Sequence, residues 1–278
     1  MPNYSSAMIE EIIVNEQVTC IKTGSISYEN RTMWACLYKV ENALIDCGCA
    51  NAKDELVSLL NGKKIDFIYV THGHEDHYGC CSAFSETATI FAPPRARDVL
   101  LNPPNLNEFF QWVWGQPEPV KQVQITPSQF QVGDLCFDTV KLPGHGEEMV
   151  GFYEKEKGWL FSADAVPLPS HKQISMTDEN IPQMMRTMEY IMDLDVKVLF
   201  DGHLGPIETP ESHIQKRLDY LNKVRETAMR LHEKGLSSSE IIAELGWESP
   251  WYMDMTMGRF SLEHMIDSLF SERATEKP

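Results

Sequence analysis

Thr71-His72-Gly73-His74-Glu75-Asp76-His77-Tyr78-Gly79 follows directly on the apolar run Ile65-Asp66-Phe67-Ile68-Tyr69-Val70. That run has the length and the β-branched and aromatic content of a buried strand. A chain leaving such a strand is extended, so His72 and His74, two residues apart, project to one side; a helix would turn them away from each other. Gly73 permits a tight bend between them. Asp76 and His77 come after a short turn and can face a second point close to the first. Neutral imidazole and carboxylate are zinc donors, and three protein ligands leave a position open for water. A polar loop of surface histidines is the alternative, and four ligand-type side chains within six residues weigh against it.

The pattern HxHxDH after a strand resembles the signature of the metallo-β-lactamase superfamily. Stretches similar to the other motifs of that family follow in order: Leu142-Pro143-Gly144-His145, Phe161-Ser162-Ala163-Asp164 and Asp201-Gly202-His203-Leu204-Gly205-Pro206. The resemblance implies an α+β fold, a four-layer αβ/βα sandwich over residues 1–208, with a C-terminal helical domain over 209–278. It also implies a dinuclear centre. His72, His74 and His145 would hold one metal, Asp76, His77 and His203 the other, with Asp164 bridging. Histidine-rich ligation favours two Zn²⁺, though iron and manganese fit the same donors. Two such metals, roughly 3.5–4 Å apart, would share a hydroxide as nucleophile. Asp76 would bind metal and also orient or relay the proton of that water. Leu44-Ile45-Asp46-Cys47-Gly48 resembles the family's LIDTG element, in which the aspartate supports the metal loop from behind. A solvated strand-end carboxylate is the other reading of Asp46.

These features point to a metallo-hydrolase that cleaves an ester, thioester or lactone of a small metabolite. A phosphodiesterase or ribonuclease of the same fold is the runner-up, and a mononuclear-iron sulfur dioxygenase is the alternative from another class. A formal net charge of −17 over 278 residues repels nucleic acid and anionic membranes. The partner is therefore expected to be a small molecule. Met1 to Asn15 shows no basic region of a secretory leader, and no apolar run reaches the length of a membrane span. Seven cysteines without a C-x-x-C pair read as buried thiols in a reducing, cytoplasmic setting.

Prolines bracket an aromatic insertion at about 102–119 that carries Phe109, Phe110, Trp112 and Trp114 on a short helix. Trp112 and Trp114 are expected either to cover the site or to anchor the insertion against the core. Glu147-Glu148 is expected to place negative charge on the rim of the pocket. His171, seven residues past Asp164, is either a pocket residue or part of an ordinary loop. In the tail, Ser212 to Lys234 and Glu240 to Leu245 read as helices, and Ser249-Pro250 opens a third that ends near Phe270, either continuous or broken at Gly258. Their acidic residues Glu240, Glu244, Glu248 and Asp254 disfavour DNA reading. A cap over the site or a homodimer contact is the expected role.

Overall fold

Two β-branched and aromatic runs, β2 (Val18–Ile26) and β3 (Thr32–Val40), pair antiparallel from Val18 opposite Val40 to Ile26 opposite Thr32. They seed a sheet that continues outward through β1 (Ala7–Ile13) on one side. On the other side follow β4 (Ala43–Ile45), β5 (Phe67–Tyr69), β6 (Thr89–Ala92) and β7 (Gln124–Ile125). Pairing is antiparallel up to β4 and parallel from β4 to β7. The computed structural model describes residues 7–26 and 32–270. The first six residues, part of the stretch read as lacking a leader, and the last eight of the tail lie outside the described residues.

The second sheet runs β14 (Gly205–Ile207), β13 (Val198–Asp201), β11 (Trp159–Ala163), β10 (Val150–Glu154), β9 (Leu135–Lys141), β8 (Gln129–Val132). All its pairings are antiparallel except β11 with β13. Aromatic rings fill the space between the two sheets. Tyr69 stacks on Phe130 at 3.7 Å and Phe161 on Phe200 at 4.3 Å. Buried Tyr38 donates its hydroxyl to the Asp201 carbonyl at 2.6 Å, tying one sheet to the other.

Helices α1 (Lys53–Leu60), α2 (Glu75–Tyr78) and α3 (Pro94–Leu101) cover the outer face of the first sheet. Helices α5 (Ile181–Asp193), α6 (Pro210–Glu233), α7 (Ser238–Leu245) and α8 (Leu262–Phe270) cover the second. The result is the expected α/β/β/α sandwich. The methionine stripe of α5 (Met184, Met185, Met188) is core, packed with Leu262, Met265 and Ile266 of α8. Among the described residues, no helix is long and apolar enough to cross a membrane. Six of the seven cysteines are buried and all are free thiols.

Helix α2 begins at Glu75, so Asp76 and His77 sit in its first turn. Acidic residues there suit the positive end of the helix dipole. At its end Gly79 lies against the backbone of Cys49 and Ala50, where a Cβ would come within 2.3 Å of the Ala50 nitrogen. In the tail, the segment from Ser249 to Phe270 takes the broken form, at Gly258. Met257 and Gly258 turn left-handed, at φ 53° and 80°. After them β15 (Phe260–Ser261) pairs antiparallel with β12 (Ser175–Met176), and only then does α8 start. Strand pairing to a distant segment overrides the helical spacing of the side chains.

Phe137, fully buried between Phe130 and Phe161, reports on the inter-sheet core. Phe137→Ala is expected to cost about 3–5 kcal/mol in equilibrium denaturation.

Candidate metal centre

The site lies where parallel strands end side by side. Ile45 of β4 is opposite Tyr69 of β5, so Asp46 emerges next to the loop that begins at Thr71. Phe161 of β11 is opposite Phe200 of β13, so Asp164 and His203 emerge next to each other. The Val150 amide donates to the Thr71 carbonyl at 3.1 Å, joining the two sheets at this edge. Gly202 is dictated by closeness: a Cβ there would sit 2.2 Å from Asp164 Oδ1 and 3.0 Å from His77 Cε1.

Four of the five histidines are held from outside. His77 Nδ1 is 2.8 Å from Asp46 Oδ2, and His145 Nδ1 is 2.9 Å from Glu179 Oε1. His203 Nδ1 is 2.7 Å from the Trp34 carbonyl. Carboxylate and carbonyl oxygens only accept, so in each case Nδ1 carries a proton and Nε2 is the nitrogen turned into the site, where a metal would take it as a lone pair. His72 Nδ1 is 3.0 Å from Thr71 Oγ1, whose own hydroxyl donates to Asp46. His72 is therefore fixed in the same way. His74 alone turns Nδ1 inward, 3.1 Å from His72 Nε2 and 2.9 Å from His145 Nε2.

These inward nitrogens meet the carboxylates. Asp164 Oδ2 lies 3.0 Å from His203 Nε2 and 3.3 Å from His145 Nε2. Asp76 Oδ2 lies 3.6 Å from His77 Nε2 and 3.8 Å from His203 Nε2. Two groups of three donors, His72–His74–His145 and Asp76–His77–His203, each bring their ligand atoms within 4.8 Å of one another. A third, His72–His77–Asp164, overlaps both. His77 Nε2 and Asp164 Oδ1 are buried and make no hydrogen bond, although they are only 3.3 Å apart. Two buried polar atoms without partners, facing each other, fit a cation, and the donor set fits zinc, iron or manganese.

Electrostatics agree with that fit. Burial, and then the neighbouring imidazoles, holds His72 and His74 well below the usual histidine range. Burial acts in the same direction on His77 and His203, but the carboxylates of Asp164 and Asp76 outweigh it. His77 is raised well above its ordinary value and His203 up to about 10. Asp164 is held well below the carboxylate range, because His203, His77 and His145 overcome the effect of burial. The pocket thus attracts positive charge, whether protons or a metal cation.

Of the remaining sequence candidates, Asp46 supports Thr71 and His77 from behind, accepting from the Thr71 amide at 2.8 Å. Trp114 is buried with its ring 6.3 Å from that of His203. Trp112 is half-buried against Phe109, and its carbonyl accepts from Asn51. The structure does not bring His171 into any of the donor groups: it is exposed, bonded to Ser170 and edge-on to Tyr220. The pair Glu147-Glu148 is set against the start of α3. Glu148 accepts from the Arg95 amide in the first turn of α3 at 2.7 Å, and Glu147 pairs with the Arg95 guanidinium at 3.0 Å. Sequence reading missed Glu179, buried with Lys172 at 2.8 Å, and Arg259, which pairs with Glu75. Each stands alone in the sequence, and nothing in its neighbours marks it.

Residues 39–203 match the family profile described as the metallo-beta-lactamase superfamily. An atrochrysone carboxyl ACP thioesterase of Aspergillus fumigatus is 25% identical over 183 residues, 64% of this chain and 52% of that protein. A hydroxyacylglutathione hydrolase of Legionella pneumophila is 24% identical over 145 residues, 50% of this chain and 49% of that protein. The chain therefore spans about half the length of these two curated relatives. Among solved structures, a metallo-beta-lactamase family protein from Thermus thermophilus superposes with TM-score 0.64 at 17% identity, over 94% of this chain and 92% of that one. An inverting sec-alkylsulfatase from Pseudomonas sp. gives TM-score 0.67 at 14% identity, over 96% of this chain and half of the other. At these identities the structural likeness is one of fold.

Asp46→Asn replaces the acceptor of His77 Nδ1 and of Thr71 with a group that is half donor. Metal affinity measured by chelator competition is expected to fall roughly 10–100-fold, with the fold kept.

Proposed function

The chain belongs to the metallo-beta-lactamase superfamily and is a metallo-hydrolase, and from that premise we propose that it uses two zinc ions to cleave an ester, thioester or lactone of a small metabolite. The observation that carries the reading is the set of imidazoles whose outer nitrogens are already engaged and whose inner ones converge on Asp164. His72, His74 and His145 would hold one ion; Asp76, His77 and His203 the other; Asp164 would be shared. Metal bound there supplies a Lewis acid for the carbonyl oxygen and a water acidified towards neutral pH.

The chain's own residues do the rest. Asp76 holds and orients the proton of the attacking water, at the mouth of α2. Asp46, Glu179 and the Trp34 carbonyl keep His77, His145 and His203 in the tautomer that presents a lone pair. Trp114 shields His203 from bulk water.

The acyl-thioester preference draws on two relatives, one a thioesterase and one a hydrolase of a hydroxyacylglutathione by name. Surface chemistry supports a neutral or apolar substrate over a polyanion. Leu204 is exposed directly beside His203, and Met255 and Met257 are exposed on the tail segment bonded to Asn107 at the start of α4 (Glu108–Trp114). The net charge of −17 opposes nucleic acid.

Metal analysis of the purified chain, with a panel of thioester, ester, lactone, β-lactam and phosphodiester substrates, tests this. Up to two transition metals per chain and fastest turnover of a neutral thioester or ester are expected. Asp164→Ala should lose metal or all turnover. Full metal content and activity in that variant would refute the shared carboxylate, and efficient RNA cleavage would refute the substrate class.

A further inference from the structure

Arg259 reaches the metal loop from 184 residues further along the chain. Its Nη1 donates to Glu75 Oε1 at 2.6 Å and its Nη2 to Oε2 at 3.1 Å, a two-pronged pair. The Glu75 side chain is only 6% exposed, and the guanidinium lies over the Phe110 ring at 4.4 Å. Glu75 opens α2, with His74 before it and Asp76 and His77 after it. One cation from the tail therefore fixes the helical turn on which two candidate ligands stand.

We propose that Arg259 is a positioning residue of the metal centre, its fork on Glu75 setting the orientation of α2 and hence of Asp76 and His77. The inference rests on the metal reading above. Docking the tail does not require this pair. Phe109 stacks on Tyr252, Phe110 packs on Phe260, and Asn107 donates to the Met255 and Thr256 carbonyls. What Arg259 adds is compensation of a carboxylate buried between two ligands. Without it, Glu75 would have to reach water, and the short route is an outward turn of α2 that carries Asp76 and His77 along. A buried charge stripped of its partner drives such a shift far more strongly than an exposed one. Lysine would keep the charge and lose the fork.

The tail braces the other half of the centre too. Ser268 Oγ accepts from the Ile181 amide at 2.9 Å and donates to the Glu179 carbonyl at 3.3 Å, and Glu179 holds His145.

The test uses the full chain loaded with cobalt, whose visible spectrum reports ligand geometry. Wild type, Arg259→Ala, Arg259→Lys and the double variant Arg259→Ala/Glu75→Gln are compared for spectrum, metal affinity and Tm. Arg259→Ala is expected to change the spectrum and to weaken binding of the second equivalent about tenfold or more. Arg259→Lys should shift in the same direction by less. The double variant should return towards wild type, because no charge is left stranded. A wild-type spectrum and affinity in Arg259→Ala, even with a lower Tm, would overturn the inference. So would full rescue by lysine, or a double variant no better than Arg259→Ala. If Arg259→Ala does not fold, the lysine and double variants decide. A wild type that takes up neither cobalt nor zinc refutes the metal reading itself, and is distinguishable from a defect confined to the variants.

Discussion

Five imidazoles and two carboxylates face one another at the end of the sandwich, with a ring nitrogen of each histidine turned inward. Such a cluster is unfavourable unless positive charge enters it, and each histidine must be kept from swinging away. The surrounding structure answers that constraint. Parallel strand ends set the spacing, Asp46, Glu179 and the Trp34 carbonyl hold the outer nitrogens, and Gly202 lets Asp164 and His77 come close. The supporting charges are themselves paired: Glu179 with buried Lys172, Glu75 with Arg259. Burial lifts the charged form of Glu179, but Lys172 and His145 more than reverse it, and its carboxyl lies well below the usual range.

The candidate ligands were legible because each follows its own strand within a few residues, so strand, turn and donor appear as one local pattern. His72, Asp164 and His203 all stand in that relation to β5, β11 and β13. The supports were not legible. Glu179 and Arg259 act on His145 and Glu75 across 34 and 184 residues, and a single Glu or Arg carries no mark of its destination. The contacts of Glu147-Glu148 with Arg95 and the start of α3 were hidden for the same reason. The aromatic insertion read correctly as a short helix. The partners of its rings, Tyr252 and Phe260, lie in a tail whose helical spacing concealed a turn and a strand.

Two of the four non-glycine residues held left-handed among the described residues stand at the site, the others being Glu41 and Met257. Asp46 and Ala163, neither a glycine, are held in left-handed conformation at φ 59° and 48°, the first at a supporting carboxylate and the second just before Asp164. Each such residue costs on the order of 1–3 kcal/mol and persists only where its surroundings over-determine it. Here the Asp46 amide donates to the Tyr69 carbonyl at 2.9 Å, and the Ala163 carbonyl accepts from the Gly202 amide at 3.0 Å. The strained positions are thus clamped by strands of the core, and the core carries a cost that only the site can use. A cation held by the folded pocket, as proposed above, and only weakly by the unfolded chain would stabilise the fold by mass action. Strain and buried charge would then be offset together. A tail fastened to Glu75 and Glu179 would be coupled to that equilibrium, even though none of its own residues reaches the donor clusters.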